Sequence, residues 1–224
     1  MTAPPVVRLS PDGSELENLL PPAVRLLGVS GSPGAGKSTL AAALATRLGG
    51  RVVPMDGFHY ADVELRRRGL LARKGAPETF DAEGYAALLG RVRARRAGEA
   101  PVVAPSFERD LEQPLAGAVA VPDEARQETG MVVTEGNYLL LDEPRWAAVR
   151  TGLDAVWHVV VDEPLRRARL LARHEAYGKS AADAAAWVAA VDDPNAALVE
   201  AVRDRADLVL DLTAWSPAGR SGLS

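Results

Sequence analysis

Short apolar runs alternate along the chain with longer stretches in which apolar residues recur every third or fourth position. The runs are "VRLLGVS" at 24–30, "RVVPM" at 51–55, "GMVVTEG" at 130–136, "LDAVWHVVV" at 153–161 and "DLVLDL" at 207–212. Each has the length and turn-rich borders of a buried strand. Between them, Leu40, Leu44 and Leu48 fall at i, i+4, i+8 ahead of Gly49-Gly50, which predicts a helix over 37–48. Further helices are predicted over 61–72, over 82–97 with Asp81 as N-cap, over 164–176 with Pro164 in the first turn, and over 180–190. Residues 101–107 read as extended. Strands separated by helices predict a parallel sheet with right-handed crossovers, an α/β doubly wound domain. Such sheets bind ligands at the carboxyl ends of their strands.

The ends of the chain break this rhythm. Residues 1–22 carry five prolines and are expected to form a flexible arm with one short helix near Ser14–Leu20. The domain is expected over 23–212, and the tail from Thr213 is expected to be disordered.

Composition removes several classes of function. The net charge is −4, so no global basic field points to nucleic acid or an anionic membrane. There is no cysteine, which excludes disulfides, thiolate metal sites and cysteine nucleophiles. No apolar run is long enough to span a bilayer, and the N-terminus lacks a signal-peptide pattern. The expectation is a soluble cytoplasmic protein.

The strongest chemical signal is "GSPGAGKST", Gly31-Ser32-Pro33-Gly34-Ala35-Gly36-Lys37-Ser38-Thr39. It fits G-x-x-x-x-G-K-[ST] with a strand before it and a helix after it, the context of a phosphate-binding P-loop. Glycines let successive N–H groups turn inward, and the helix N-terminus adds positive potential. Lys37 can reach the β- and γ-phosphates, and the Ser38 hydroxyl can ligate Mg²⁺. An Asp at the end of the next strand, in "VVPMDGFHY", would open onto the same crevice. Asp56 can take the proton of an acceptor hydroxyl, directly or through a magnesium-bound water. Alternatively, it makes a turn with Gly57 or caps the next helix. Glu135, at the end of "MVVTE", stands where a P-loop protein keeps a carboxylate for Mg²⁺. ATP is favoured over GTP because no N-K-x-D guanine reader occurs.

With these motifs in place, "PMDGFH" after the P-loop resembles the kinases that include pantothenate kinase, uridine kinase and phosphoribulokinase. "ARKGAPETFD" (72–81) resembles a segment of bacterial pantothenate kinases, and "TEGNYLLLD" (134–142) resembles a fructokinase-like bacterial branch. The resemblance, over about residues 24–212, implies a three-layer P-loop kinase fold with a mainly parallel central sheet and a helical lid. It implies ATP and Mg²⁺ as cofactors and a small hydroxyl-bearing acceptor: a sugar such as fructose, pantothenate or a nucleoside. A homodimer is an expectation it also carries.

Carried over residue by residue, the resemblance makes Asp56 the base and sets His59 beside the acceptor. Phe80 and Asp81 match a substrate-binding pair, although Asp81 also suits the N-cap. Arg73 and Lys74 either meet an anionic substrate or are solvated. Asn137 and Tyr138 either line the acceptor pocket or cap the next segment. Phe107 and Arg109 occupy, without matching, the neighbourhood of a pantothenate kinase substrate segment, as does "VPDEARQ". Arg166, Arg169 and Arg173 fall at i, i+3, i+7 and match a lid that closes over the transferring phosphoryl group. The bland alternative is a solvated helix face. His174 stands where uridine kinases usually carry an acid. Asn195 either touches the adenine or begins a helix after Pro194. A reading of another class is an ATP-driven switch or chaperone-like protein with no small acceptor.

Overall fold

The computed structural model describes residues 3–96, 98–121 and 131–217. Eight strands appear in chain order: β1 (Val6–Arg8), β2 (Leu26–Gly31), β3 (Arg51–Pro54), β4 (Val102–Glu108), β5 (Gln113–Val121), β6 (Val132–Glu135), β7 (Ala155–Val160) and β8 (Leu208–Asp211). Six of them form one sheet in the order β1-β8-β7-β2-β6-β3, every pairing parallel. β4 and β5 form a separate antiparallel hairpin. The helices are α1 (Leu16–Leu19), α2 (Lys37–Leu48), α3 (Asp62–Arg68), α4 (Ala82–Ala94), α5 (Pro144–Thr151), α6 (Glu163–Ala176), α7 (Ala181–Trp187) and α8 (Asp193–Glu200). A five-residue π-helical segment, Val188–Asp192, joins α7 to α8.

The two faces of the sheet bury two apolar clusters, and the alternation of strand side chains assigns each residue to one of them. On β7, Ala155, Trp157 and Val159 join Leu40, Leu44 and Leu210 on the α2 side. Val156 points the other way, with Tyr85, Trp146 and Val199. The order β2-β6-β3 has one consequence for function. It sets the carboxyl ends of these three strands side by side, so that the P-loop, Glu135 and Asp56 share one edge.

The N-terminal arm is not free. β1 pairs with β8 from Val6↔Val209 to Arg8↔Asp211, and Arg8 Nε donates to Asp211 at 2.8 Å. Leu9 and Leu16 are buried in the α2-side cluster together with Trp215 from the tail. Two of the prolines that suggested mobility, Pro4 and Pro5, precede an edge strand, where a missing N–H is tolerated. Pairing there also covers the exposed rim of β8. The final residues, 218–224, lie outside the described residues, as do residues 122–130, which hold most of "VPDEARQ".

Several boundaries move. The helix expected over 61–72 stops at Arg68 before Gly69, and a 3-10 turn over Leu71–Arg73 follows. The helix expected over 180–190 gives way to the π-helical segment after Trp187. α5 and β5 were not anticipated, and α8 is the helix that was one of two expectations after Pro194. β5 reads "QPLAGAVAV" and is exposed along its middle, so its small residues carry little strand signal.

Candidate active site

The P-loop curls between β2 and α2. Gly34 (φ 82°) and Gly36 (φ 100°) occupy left-handed backbone that a side chain would strain. Lys37 is buried, and its Nζ donates to the Ser32 carbonyl at 3.1 Å. Burial pushes its pKa down to about 8, against the pull of Glu135 and Asp56. Ser38, one residue on, lies at the exposed start of α2, near enough to Glu135 to lower its pKa.

Asp56 lies in a 3-10 turn, Met55–Phe58, directly after β3. Each residue of "DGFH" has a separate task. The Asp56 carboxylate accepts from Arg109 Nη2 at 2.8 Å. Gly57 lets the hairpin close in: a Cβ there would sit 2.5 Å from the Pro105 carbonyl oxygen. Phe58 packs on Tyr85 at 4.8 Å in the core. His59 Nδ1 lies 2.8 Å from the Asp56 carbonyl oxygen, and its ring stacks against Phe80 (3.9 Å) and Phe107 (4.9 Å). A β-bridge between His59 and Phe80 joins this turn to the following segment.

Electrostatics set the two carboxylates apart. Burial raises the Asp56 pKa, but His59, Arg109, Lys37 and Arg173 together hold it below the usual carboxylate value. Glu135 is pushed up to about 7, first by burial and then by the Asp56 charge, against Lys37, Ser38 and Arg109. A crowded pair of acids beside one lysine favours an added cation. Among the described residues no cluster of three or more His, Cys, Asp or Glu could cage a metal. Mg²⁺ is usually held by one or two carboxylates together with substrate phosphates, and Glu135 and Asp56 could supply them. Burial also lowers the His59 pKa, against the pull of Asp56, and its Nδ1–H donates to the Asp56 carbonyl.

These groups line one cleft of about 300 Å³, which also takes in Pro33, Ser38, Lys74, Phe107, Asn137 and Arg173. Lys74 is held by Asp62 at 2.8 Å and by the Glu112 carbonyl. The lid arginines divide. Arg173 enters the cleft. Arg169 lies against the P-loop, its Nη1 3.3 Å from where a Gly36 Cβ would stand. Arg166 is buried and committed to Glu163 and Asp193 (both within 2.8 Å) and to the Pro33 carbonyl, so it braces the base of the lid.

Four of the candidate residues take structural partners. Asp81 accepts from Gly84 N at 2.9 Å as the N-cap of α4 and does not line the cleft. Arg73 pairs with Glu78 outside it. Tyr138 is wholly buried between Phe80 and Trp146 and supports the acceptor loop through Gly75. Asn195 lines the cleft, but its amide donates to the Gly75 carbonyl at 3.3 Å. The sequence reading missed Glu112, Lys179, Trp187 and Asp192, all of which line the cleft. Glu112 has φ 52°, a turn conformation that no motif announces. Asp192 receives His174 Nε2 at 2.8 Å, which answers how a lid without the usual acid is paired.

The model of the phosphoribulokinase/uridine kinase family matches residues 26–215. A Schizosaccharomyces pombe protein provisionally named a uridine kinase is 34% identical over 78% of this chain and 80% of its own length. A crystal structure from Silicibacter sp. TM1040, provisionally named a fructose transport system kinase, is 39% identical, with a TM-score of 0.71 over 87% of this chain and 94% of that one. A Limosilactobacillus reuteri pantothenate kinase is 36% identical, but over only 40% of this chain and 32% of its own length. With the P-loop, Glu135 and Asp56 aligned on adjoining strand ends, the chain belongs to the phosphoribulokinase/uridine kinase family of P-loop kinases and is a phosphotransferase.

Proposed function

We propose that the protein moves the γ-phosphoryl group of Mg-ATP to a hydroxyl of a small, sugar-like metabolite. The observation that carries this reading is the convergence of Lys37, Glu135 and Asp56 in one cleft whose far wall is His59, Phe80 and Phe107. A nucleotide switch needs the first two groups but no acceptor wall.

Mg-ATP supplies the electrophilic phosphorus and the charge neutralisation that lets a phosphoryl group leave. The P-loop N–H groups from Gly31 to Thr39 cradle the phosphates, and Lys37 turns from the Ser32 carbonyl towards them. Ser38 and Glu135 would hold the Mg²⁺, which would neutralise charge on the phosphates. Asp56, ionised under the nearby cations, orients the acceptor hydroxyl and takes its proton as the oxygen attacks. Arg109 fixes the rotamer of that carboxylate. Arg173 meets the charge on the transferring group, Arg169 secures the loop, and the closed lid excludes water as a rival acceptor. His59 Nε2, Asn137 and Lys74 bond the acceptor's remaining polar groups, and an apolar face stacks on Phe80 and Phe107. The fructose-named structural relative, similar over nearly its whole length, supports a sugar over pantothenate, whose kinases match over a third of their length or so.

The test is ADP release from Mg-ATP against hexoses, pentoses, nucleosides, pantothenate and sugar phosphates. Release that depends on a sugar is the expected result. Release with no dependence on any acceptor, alongside tight nucleotide binding, would support a switch.

A further inference from the structure

Strand β7 carries a histidine where its pattern asks for an apolar residue. His158 is fully buried and shares the sheet face of Val156, towards α8. Its Nε2 lies 3.3 Å from Glu200 Oε1 at the end of α8. The same oxygen accepts from Ser32 Oγ at 2.6 Å. Burial raises the Glu200 pKa, but the hydrogen bonds from His158 and Ser32 hold it below its ordinary value. The carboxylate is therefore ionised, and His158 Nε2–H is the donor. His158 Nδ1 is buried without a hydrogen-bond partner among the described residues.

An apolar residue would fill this position without leaving a polar atom unsatisfied. What the histidine achieves is to hold a carboxylate behind the second residue of the phosphate loop. Ser32 is also the residue whose carbonyl receives Lys37 Nζ. The helix that ends in Glu200 reaches the acceptor loop too, through Asn195 and Gly75.

We propose that Glu200, itself fixed by His158, is a positioning residue that locks Ser32 and so sets the P-loop for the nucleotide phosphates. The proposal rests on the phosphotransfer reading only in taking this loop as the nucleotide site.

Calorimetric titration with Mg-ADP tests it, at a temperature where circular dichroism shows each variant folded. Glu200→Ala and Ser32→Ala should each weaken binding about tenfold, and the double variant should bind no worse than either, because both break one link. Glu200→Gln keeps an acceptor oxygen for Ser32 and should recover most of the affinity. A purely structural role would lower the melting temperature and leave Mg-ADP affinity within twofold of wild type in both single variants, and this overturns the proposal. Effects that multiply in the double variant overturn it as well. If Glu200→Ala does not fold, Ser32→Ala, which leaves β7 and α8 intact, decides alone. A wild-type protein that fails to bind Mg-ADP removes the phosphotransfer reading, and this inference with it.

Discussion

The two halves of the cleft are built by different means. The half proposed for the nucleotide is one continuous segment, residues 31–39, whose backbone is shaped by glycines with positive φ. The acceptor half is assembled from segments far apart in sequence: His59 after β3, Lys74 to Phe80 before α4, Phe107 to Glu112 on the hairpin, and Asn195 on α8. Backbone recognition of phosphate is the same in every member of such a family, so it writes a short motif. Side-chain recognition of an acceptor follows whichever molecule is bound, so its signal is scattered over several short segments.

Substitutions can break this contrast. The largest effect belongs to Lys37→Ala. Loss of the buried ammonium should reduce turnover by about 10³-fold or more, and turnover near wild type would mean that the loop does not hold the reacting phosphate. Next come the lid arginines, which the structure separates. Arg173→Ala should lower kcat roughly 10–100-fold with little change in melting temperature. Arg166→Ala should chiefly destabilise, by about 1–3 kcal/mol, since it removes the brace between α6, Asp193 and the Pro33 carbonyl. If thermal melts and kinetics show the two variants behaving alike, the division of the lid is wrong.

Phe107→Ala sharpens the comparison from the acceptor side. It should raise the acceptor KM about tenfold, by loss of ring stacking, and leave the ATP KM unchanged. Steady-state kinetics with the two substrates varied in turn would check this, and an equal shift in both constants would count against separate halves.

The smallest effect is a pH dependence of the unliganded fold. The Glu135 pKa rises from 4.5 unfolded to about 7 folded. Its stabilising contribution is therefore complete below the unfolded value and is lost as pH rises through about 7. Glu135→Gln should melt higher than wild type near pH 8 and converge with it near about pH 5, while binding Mg-ADP more weakly. A melting difference that ignores pH would contradict the burial argument.

Much of the fold was legible because buried parallel strands are apolar throughout, so five of the six central strands stand out as runs. β1 did not, because its pairing with β8 joins residues about 200 positions apart and its prolines mimic a tail. β5 was silent because alanine and glycine fill it. In the site, Lys37, Ser38, Asp56 and Glu135 were legible, since each ends a strand or begins a helix at a motif. The role of Arg166 was not, because spacing on a helix cannot tell a cation that faces a cleft from one claimed by Asp193. The pairing of buried His158 with the partly exposed Glu200 depends on β7 and α8 meeting, which no local pattern encodes.

The central claim concerns Asp56: that it serves transfer to an acceptor and not the holding of nucleotide. The direct measurement is Mg-ATP affinity beside acceptor-dependent phosphoryl transfer in Asp56→Asn. The account predicts affinity within a few fold of wild type and transfer reduced by about 10²–10⁴, the scale of a lost general base. Affinity that falls as far as transfer would make Asp56 a metal-holding group, and transfer that persists would remove it from the chemistry.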